Sequence, residues 1–142
     1  MLRGRFEAAD ELSPAELRSE YEAVLAETIE TVGESTVADQ TGVDEETIRA
    51  LVAGDSPELT LEDASAILGT DEQYPDADSI EAEARDILLM GMSIAVLDVE
   101  AIAAGINDEL EPKEIQQKVE GRYPISLAEY AIIHSYIERE KR

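Results

Sequence analysis

The residues of this sequence best suited to bind a ligand are six polar and cationic ones near the C-terminal end. They are Lys113, Gln116, Gln117, Lys118, Arg122 and Tyr123. A glutamine amide can pair with the edge of adenine, and lysine or arginine can pair with guanine or a phosphate. Residues 113–123 are therefore the candidate nucleic-acid-binding site. Because Glu114 and Glu120 are interleaved with these residues, an ordinary solvated helix face is the alternative.

No comparable group of residues indicates catalysis. The chain has no cysteine, which excludes disulfides, thiolate metal sites and cysteine nucleophiles. His134 is the only histidine, and its neighbours Ile133 and Tyr136 predict a packing or surface role. The sequence has no EF-hand spacing, glycine-rich phosphate loop or nucleophile elbow. We therefore predict that the protein is not an enzyme and holds no metal or cofactor.

The charge is large and unevenly distributed. The formal net charge is −23 over 142 residues. Residues 1–112 hold 5 basic and 29 acidic groups, a net of −24, whereas residues 113–142 hold 6 basic and 5 acidic groups, a net of +1. A domain this acidic repels itself unless salt screens its charges. The composition predicts a protein of a cytoplasm kept at molar salt; the alternative is an acidic interaction protein of an ordinary cytoplasm.

Helices are expected to position the candidate residues, because apolar residues recur at helical spacing and no alternating strand pattern is present. Ser13-Pro14-Ala15-Glu16 and Ser126-Leu127-Ala128-Glu129 are capping boxes that start helices. Residues 70–79 are polar and contain Pro75, which is typical of a linker. The sequence predicts an all-α fold of about eight helices.

The two halves of the chain resemble each other. Four residues recur at a constant offset of 67: Ile48, Val52, Gly54 and Pro57 match Ile115, Val119, Gly121 and Pro124. After one dropped residue, Thr60-Leu61 aligns with Ser126-Leu127. We predict an internal repeat with an acidic N-terminal unit at residues 1–69, a linker at 70–79 and a C-terminal unit at 80–142.

The repeated segments, residues 36–68 and 112–133, resemble the helix-turn-helix of phage repressors (Cro/C1-type). The resemblance implies that the second helix of each pair enters the major groove of DNA. In the first unit, Asp44, Glu45 and Glu46 would meet phosphates and be repelled. The second unit is therefore the expected nucleic-acid-binding one. Over nearly its whole length the sequence also resembles small acidic proteins of unknown function from halophilic archaea.

We therefore expect a cytoplasmic regulatory protein that binds DNA or RNA through its C-terminal unit, with a role in transcription regulation. The alternative is a protein–protein adaptor whose acidic first unit meets a basic partner. The longest apolar stretch, residues 87–97, is too short to span a bilayer, so no membrane partner is expected. This stretch belongs either to the core or, through Met90 and Met92, to a homodimer interface.

Overall fold

The computed structural model describes residue 2 and residues 4–141. In this part of the chain a short 3-10 helix at Ala9–Glu11 precedes eight α-helices, and no strand is formed. The predicted all-α fold of about eight helices is confirmed. The helices are α1 (Pro14–Val32), α2 (Glu34–Thr41), α3 (Glu45–Val52), α4 (Leu61–Leu68), α5 (Ala77–Ala95), α6 (Val99–Gly105), α7 (Pro112–Val119) and α8 (Leu127–Glu140).

Both predicted capping boxes are present. The Ser13 hydroxyl accepts a hydrogen bond from the Glu16 amide at 3.1 Å, and the Glu16 carboxylate accepts one from the Ser13 amide at 2.9 Å. Ser126 and Glu129 make the same two hydrogen bonds at 3.0 and 2.9 Å. Such a cap stabilises a helix by about 1 kcal/mol. The caps therefore fix where α1 and α8 begin.

Two glycines follow the short helices α3 and α7 in the same geometry. Gly54 has a φ of +87° and Gly121 a φ of +83°, which glycine adopts without steric strain. The Gly54 amide donates to the carbonyl of Leu51 at 3.1 Å, and the Gly121 amide donates to that of Lys118 at 3.3 Å. The two helices therefore end alike, at glycines that the repeat pairs with each other.

The long helix α5 begins inside the predicted linker. The Asp76 carboxylate accepts a hydrogen bond from the Ser79 amide at 2.8 Å, and so caps a helix whose first residue is Ala77. The predicted linker at residues 70–79 is therefore confined to residues 70–76, because its last three residues are helical.

The long helices pack across the two halves of the chain. Helix α1 packs against α8 of the second half, and α5 packs against α4 of the first half. Gly91 permits α5 to approach α8 closely, since a Cβ at this position would lie 2.6 Å from Ile137 Cγ2. Buried apolar residues of both halves form one hydrophobic core. The two predicted units are thus packed together.

The backbones of the two halves also meet at positions that the repeat pairs with each other. Thr60 and Ser126 form an isolated antiparallel bridge. Two hydrogen bonds of 2.8 Å flank it, from Leu61 N to Ile125 O and from Leu127 N to Leu59 O. The repeat pairs Leu61 with Leu127 and Leu59 with Ile125, so each of the two hydrogen bonds is the counterpart of the other. The junction therefore has local two-fold symmetry. This symmetry supports the internal repeat, which stays a prediction.

Among the described residues, no helix is by itself long and apolar enough to cross a membrane. Helices α5 and α6 reach the required length and composition only when taken together, and a bend of 92° separates them. Each of the two also contributes to the core, through Leu88 and Ile102 respectively.

Candidate nucleic-acid interface

Helix α7 brings three of the predicted residues together on one side. Ile115 and Val119 are buried and attach the helix to the core. Lys113 and Gln116 are exposed, and Gln117 is partly exposed. Residues three and four positions apart are neighbours on a helix surface. Lys113 therefore neighbours both glutamines, and these three residues, which lie outside the buried contact of α7, are named here the α7 row.

Carboxylates surround the start of α7. Pro112 occupies the first helical position, and the Glu111 amide before it donates to the Glu114 carboxylate at 3.2 Å. Negative charge at this end of a helix favours its dipole. It also lowers the positive potential next to Lys113, so the α7 row combines one cation and two amides with acidic neighbours.

Lys118 lies apart from the α7 row. Its ammonium forms an ion pair with Glu129 of α8 at 2.5 Å, and only 16% of the Lys118 side chain is exposed. Burial opposes ionisation of Glu129, but hydrogen bonds from Lys118 and Ser126 outweigh it and lower the pKa of this carboxyl. The pair joins α7 to α8, so the charge of Lys118 is neutralised within the chain.

Arg122 and Tyr123 follow α7 in an exposed loop. A guanidinium nitrogen of Arg122 lies 2.6 Å from a carboxylate oxygen of Glu120. Tyr123 is 55% exposed, and it lines a groove of about 150 Å³ together with Arg122. An exposed aromatic ring can stack on a base. The two residues therefore extend the candidate surface beyond the end of α7.

Arg85 of α5 also lines this groove, and no sequence motif predicts its part there. Its Nε donates to the Lys118 carbonyl at 3.2 Å, and its guanidinium pairs with Glu81 one turn earlier. A Cβ on Gly121 would lie 3.3 Å from the Arg85 Nε. Arg85 therefore positions the end of α7. The spacing of Glu81 and Arg85 predicts their ion pair on a helix. The contact of Arg85 with Lys118 joins residues 33 positions apart, so no local pattern predicts it.

The corresponding side of α3 in the first unit has a different character. The repeat pairs the α7 row with Glu46, Arg49 and Ala50, of which the first two are exposed. Asp44 caps α3 by accepting a hydrogen bond from the Glu46 amide at 3.1 Å, and Glu45 adds a third carboxylate to the first turn. This turn would repel a phosphate, as the sequence predicts.

His134 lies in a buried aromatic cluster and not on the candidate surface. Its Nδ1 accepts a hydrogen bond from the Tyr21 hydroxyl at 2.5 Å, and its Nε2 lies 3.4 Å from a Glu138 oxygen. The Tyr130 ring packs against it with a centroid distance of 5.5 Å, and Phe6 packs edge-on against Tyr21 at 4.8 Å. A neutral ring protonated at Nε2 satisfies both polar contacts. His134 therefore has a packing role.

We expect the stability contributed by His134 to decrease as the pH falls from about 7 to about 5. Burial lowers the pKa of His134 below its usual value of 6.5, so folding favours the neutral ring. This contribution is fully present above the pKa that the histidine has in the unfolded chain, and it is lost as the pH falls below that value. A hydrogen bond from His134 holds the pKa of Glu138 at about 2, so the contribution of Glu138 is lost only below its usual value of 4.5.

Urea unfolding of the wild type and of His134→Phe at both pH values measures this effect. The difference in unfolding free energy between the two proteins should shrink or reverse at the lower pH, because only the wild type carries the titrating ring. An equal pH dependence in both proteins would contradict the assignment. The variant also corrects for the many surface carboxylates, which titrate in both proteins.

Across residue 2 and residues 4–141, no three histidine or carboxylate side chains are grouped so that they could hold a metal ion. Two of the carboxylates instead cap helices, and hydrogen bonds from the backbone amides of Ser13 and Ser79 lower the pKa values of Glu16 and Asp76.

A protein-family model matches most of the chain. It is described as a family of unknown function, DUF5791, and the match covers residues 17–140. No curated protein and no solved structure matches the chain. The match includes both halves of the molecule and the whole of α7.

Proposed function

The chain belongs to the DUF5791 family of unknown function, and from this premise we propose that it is a non-enzymatic regulatory protein that binds duplex DNA through its C-terminal helix-turn-helix-like unit. One observation carries the proposal. Lys113 and Gln116 are exposed on α7 and Gln117 is partly exposed, whereas Ile115 and Val119 of the same helix are buried.

The side chains of the α7 row have the chemistry that recognises bases. The amides of Gln116 and Gln117 each hold a donor and an acceptor in one plane, which matches the major-groove edge of adenine. Lys113 lies one turn earlier and could reach a guanine or a phosphate. A well-formed bidentate pair of this kind discriminates against the wrong base by about 1–3 kcal/mol.

The arrangement of the second unit supports the likeness to phage repressors. Helix α6 packs against both α7 and α8, so that α7 would be the recognition helix in the major groove. The chain differs from phage repressors at residues 106–111, which connect α6 to α7. A typical helix-turn-helix has a turn of about three or four residues. The likeness therefore lies in the helices and not in the turn between them.

We also infer that the protein works in a cytoplasm of molar salt, as the resemblance to halophilic proteins implies. The net charge of −23 would then be screened, because the Debye length falls to about 3 Å at 1 M salt. Counterion release contributes little to DNA binding under these conditions. The composition of the α7 row suits them, because its two amides can recognise bases without a net charge.

We expect Gln116→Ala/Gln117→Ala to weaken binding to a selected DNA duplex by at least about tenfold, since each lost base contact costs about 1–3 kcal/mol. A randomised duplex library, selected with the wild type at about 2 M KCl, supplies the target under screened conditions. Fluorescence anisotropy with the labelled duplex then gives the Kd of each protein. Circular dichroism in the same buffer establishes that each variant is folded.

Arg49→Ala is the matched control. Arg49 is exposed on α3 at the position that the repeat pairs with Gln116, so its removal should leave the Kd unchanged. Equal weakening by both changes would remove the α7 row from the proposed site. If the wild type binds neither DNA nor RNA at any salt concentration, the adaptor function with a basic protein partner is favoured instead.

A further inference from the structure

An apolar patch covers the solvent side of the last turns of α5. Of the five large apolar side chains exposed in the described residues, four are here: Leu89, Met90, Ile94 and Val96. These four residues are named the α5 patch, and their exposed fractions range from 41% to 88%. Together they present roughly 400 Å² of apolar surface, the size of the largest patch on a typical monomer, which often has a function.

The α5 patch is not a requirement of the fold. No charged residue occurs in residues 87–97, although 32% of the chain is charged. Helix α1 has the same length of 19 residues and packs across the core in a corresponding way. Where α5 has Met90 and Ile94, α1 has the exposed polar residues Glu27 and Thr31. The apolar surface of α5 therefore serves something other than packing within one chain.

A pocket lies next to the α5 patch on the same surface. Its volume is about 200 Å³, and Ile87, Met90, Ile94, Phe6 and Lys141 are among the residues that line it. The exposed side chains of α5 and this pocket are a protrusion and a depression on one face. A two-fold contact between identical copies needs both on the same face, because each copy offers its protrusion to the depression of the other.

We propose that the α5 patch binds a second copy of this chain in a two-fold contact between the α5 helices. Two charge-free patches can meet without the loss of hydration that a buried charge would suffer. A basic partner would instead find its complement in the acidic surface of residues 1–112. The pocket is also lined by Glu7 and by Lys141, whose ammonium pairs with Glu138 of the same chain at 2.8 Å.

The size of the patch and the charge of the chain set the conditions for this dimer. The patch supplies about half of the roughly 800 Å² that each partner contributes to a standard interface, so the association is weak. The net charge of −23 on each copy opposes it at low salt, and molar salt screens this repulsion. The dimer should therefore strengthen as the salt concentration rises.

Sedimentation equilibrium of the full chain without nucleic acid tests the proposal. We expect a monomer–dimer equilibrium at about 2 M KCl, shifted towards monomer at about 0.2 M, over protein concentrations of about 5–500 µM. Ile94→Glu puts a charge into the contact and should raise the dimer Kd at least about tenfold. Thr31→Glu adds the same charge at the corresponding exposed position of α1 and should leave the Kd unchanged.

A chain that stays monomeric at every concentration and salt overturns the proposal, as does a dimer that Ile94→Glu weakens no more than Thr31→Glu does. If a monomeric chain sediments with phosphatidylcholine vesicles and Ile94→Glu abolishes this, the patch binds a lipid surface instead. Circular dichroism shows whether each variant is folded under the same conditions. Because no nucleic acid is present, the result is independent of the proposed function of α7.

Discussion

We expect the midpoint of thermal unfolding to rise by more than about 10 °C between about 0.1 and 2 M KCl, because added salt screens the repulsion among the carboxylates. The first 112 residues alone carry a net charge of −24. At 0.1 M salt the Debye length is about 10 Å, so neighbouring surface charges still repel, whereas at 1 M it is about 3 Å. For a chain of this size a change of 10 °C corresponds to about 3 kcal/mol. Circular dichroism during heating measures the midpoint.

A charge-reduced variant separates this repulsion from the general effect of salt on apolar burial. Glu20, Glu27 and Glu30 are exposed on α1, and changing all three to glutamine should raise the midpoint at low salt. The same variant should gain less than the wild type when KCl is added. If both proteins gain equally, the salt effect has another origin. A wild-type midpoint that does not change with salt would exclude adaptation to molar salt.

The features of the fold that follow from the sequence have local causes. Ser13 and Ser126 lie three residues before a glutamate that completes the cap, so the start of each helix is determined within one turn. Gly54 and Gly121 adopt a positive φ that few other residues tolerate. Because such signals act over a few residues, they predict the helices but not how the helices pack.

The candidate site shows where local signals end. The sequence places Lys118 with its neighbours as a free cation, but α8 brings Glu129 to within 2.5 Å of it. Whether a helical lysine faces solvent or a neighbouring helix depends on the packing angle between the two helices, which spacing along one helix does not determine. The same holds for Arg85, whose contact with the end of α7 depends on the position of α5.

The aromatic residues show how a repeated arrangement acquires a particular core. Tyr21 of α1 is fully buried, and Ala84 occupies the corresponding position of α5. The Tyr130 hydroxyl donates to the Ala84 carbonyl at 2.7 Å, and Ala64 of α4 corresponds to Tyr130. At each of these two pairs of repeat-related positions, one half thus has a large residue and the other half has a small one. Two large rings at both pairs of positions would overfill a close-packed interior, so the volume is divided unevenly.

This division makes Tyr21 the residue whose truncation we expect to cost most. Tyr21→Ala should lower the free energy of unfolding by about 3–5 kcal/mol, the usual range for removing a buried aromatic ring. The change leaves a cavity between Phe6 and Tyr130 and removes the donor to Nδ1 of His134. Because α1 packs against α8 here, the loss should affect the unfolding of the whole chain. Urea denaturation at about 2 M KCl measures it under screened conditions.

Two further variants divide the effect into its parts. Tyr21→Phe keeps the ring and removes only the hydroxyl, so it should cost about 1–2 kcal/mol, as expected when a buried acceptor loses its partner. Tyr123→Ala removes the same kind of side chain from an exposed loop and should change the stability by less than about 0.5 kcal/mol. If Tyr21→Ala were as mild as Tyr123→Ala, the aromatic cluster would not hold α1 to α8. The two halves would then be held together by other contacts, namely the packing of α5 against α4 and the reciprocal hydrogen bonds between Leu59–Leu61 and Ile125–Leu127.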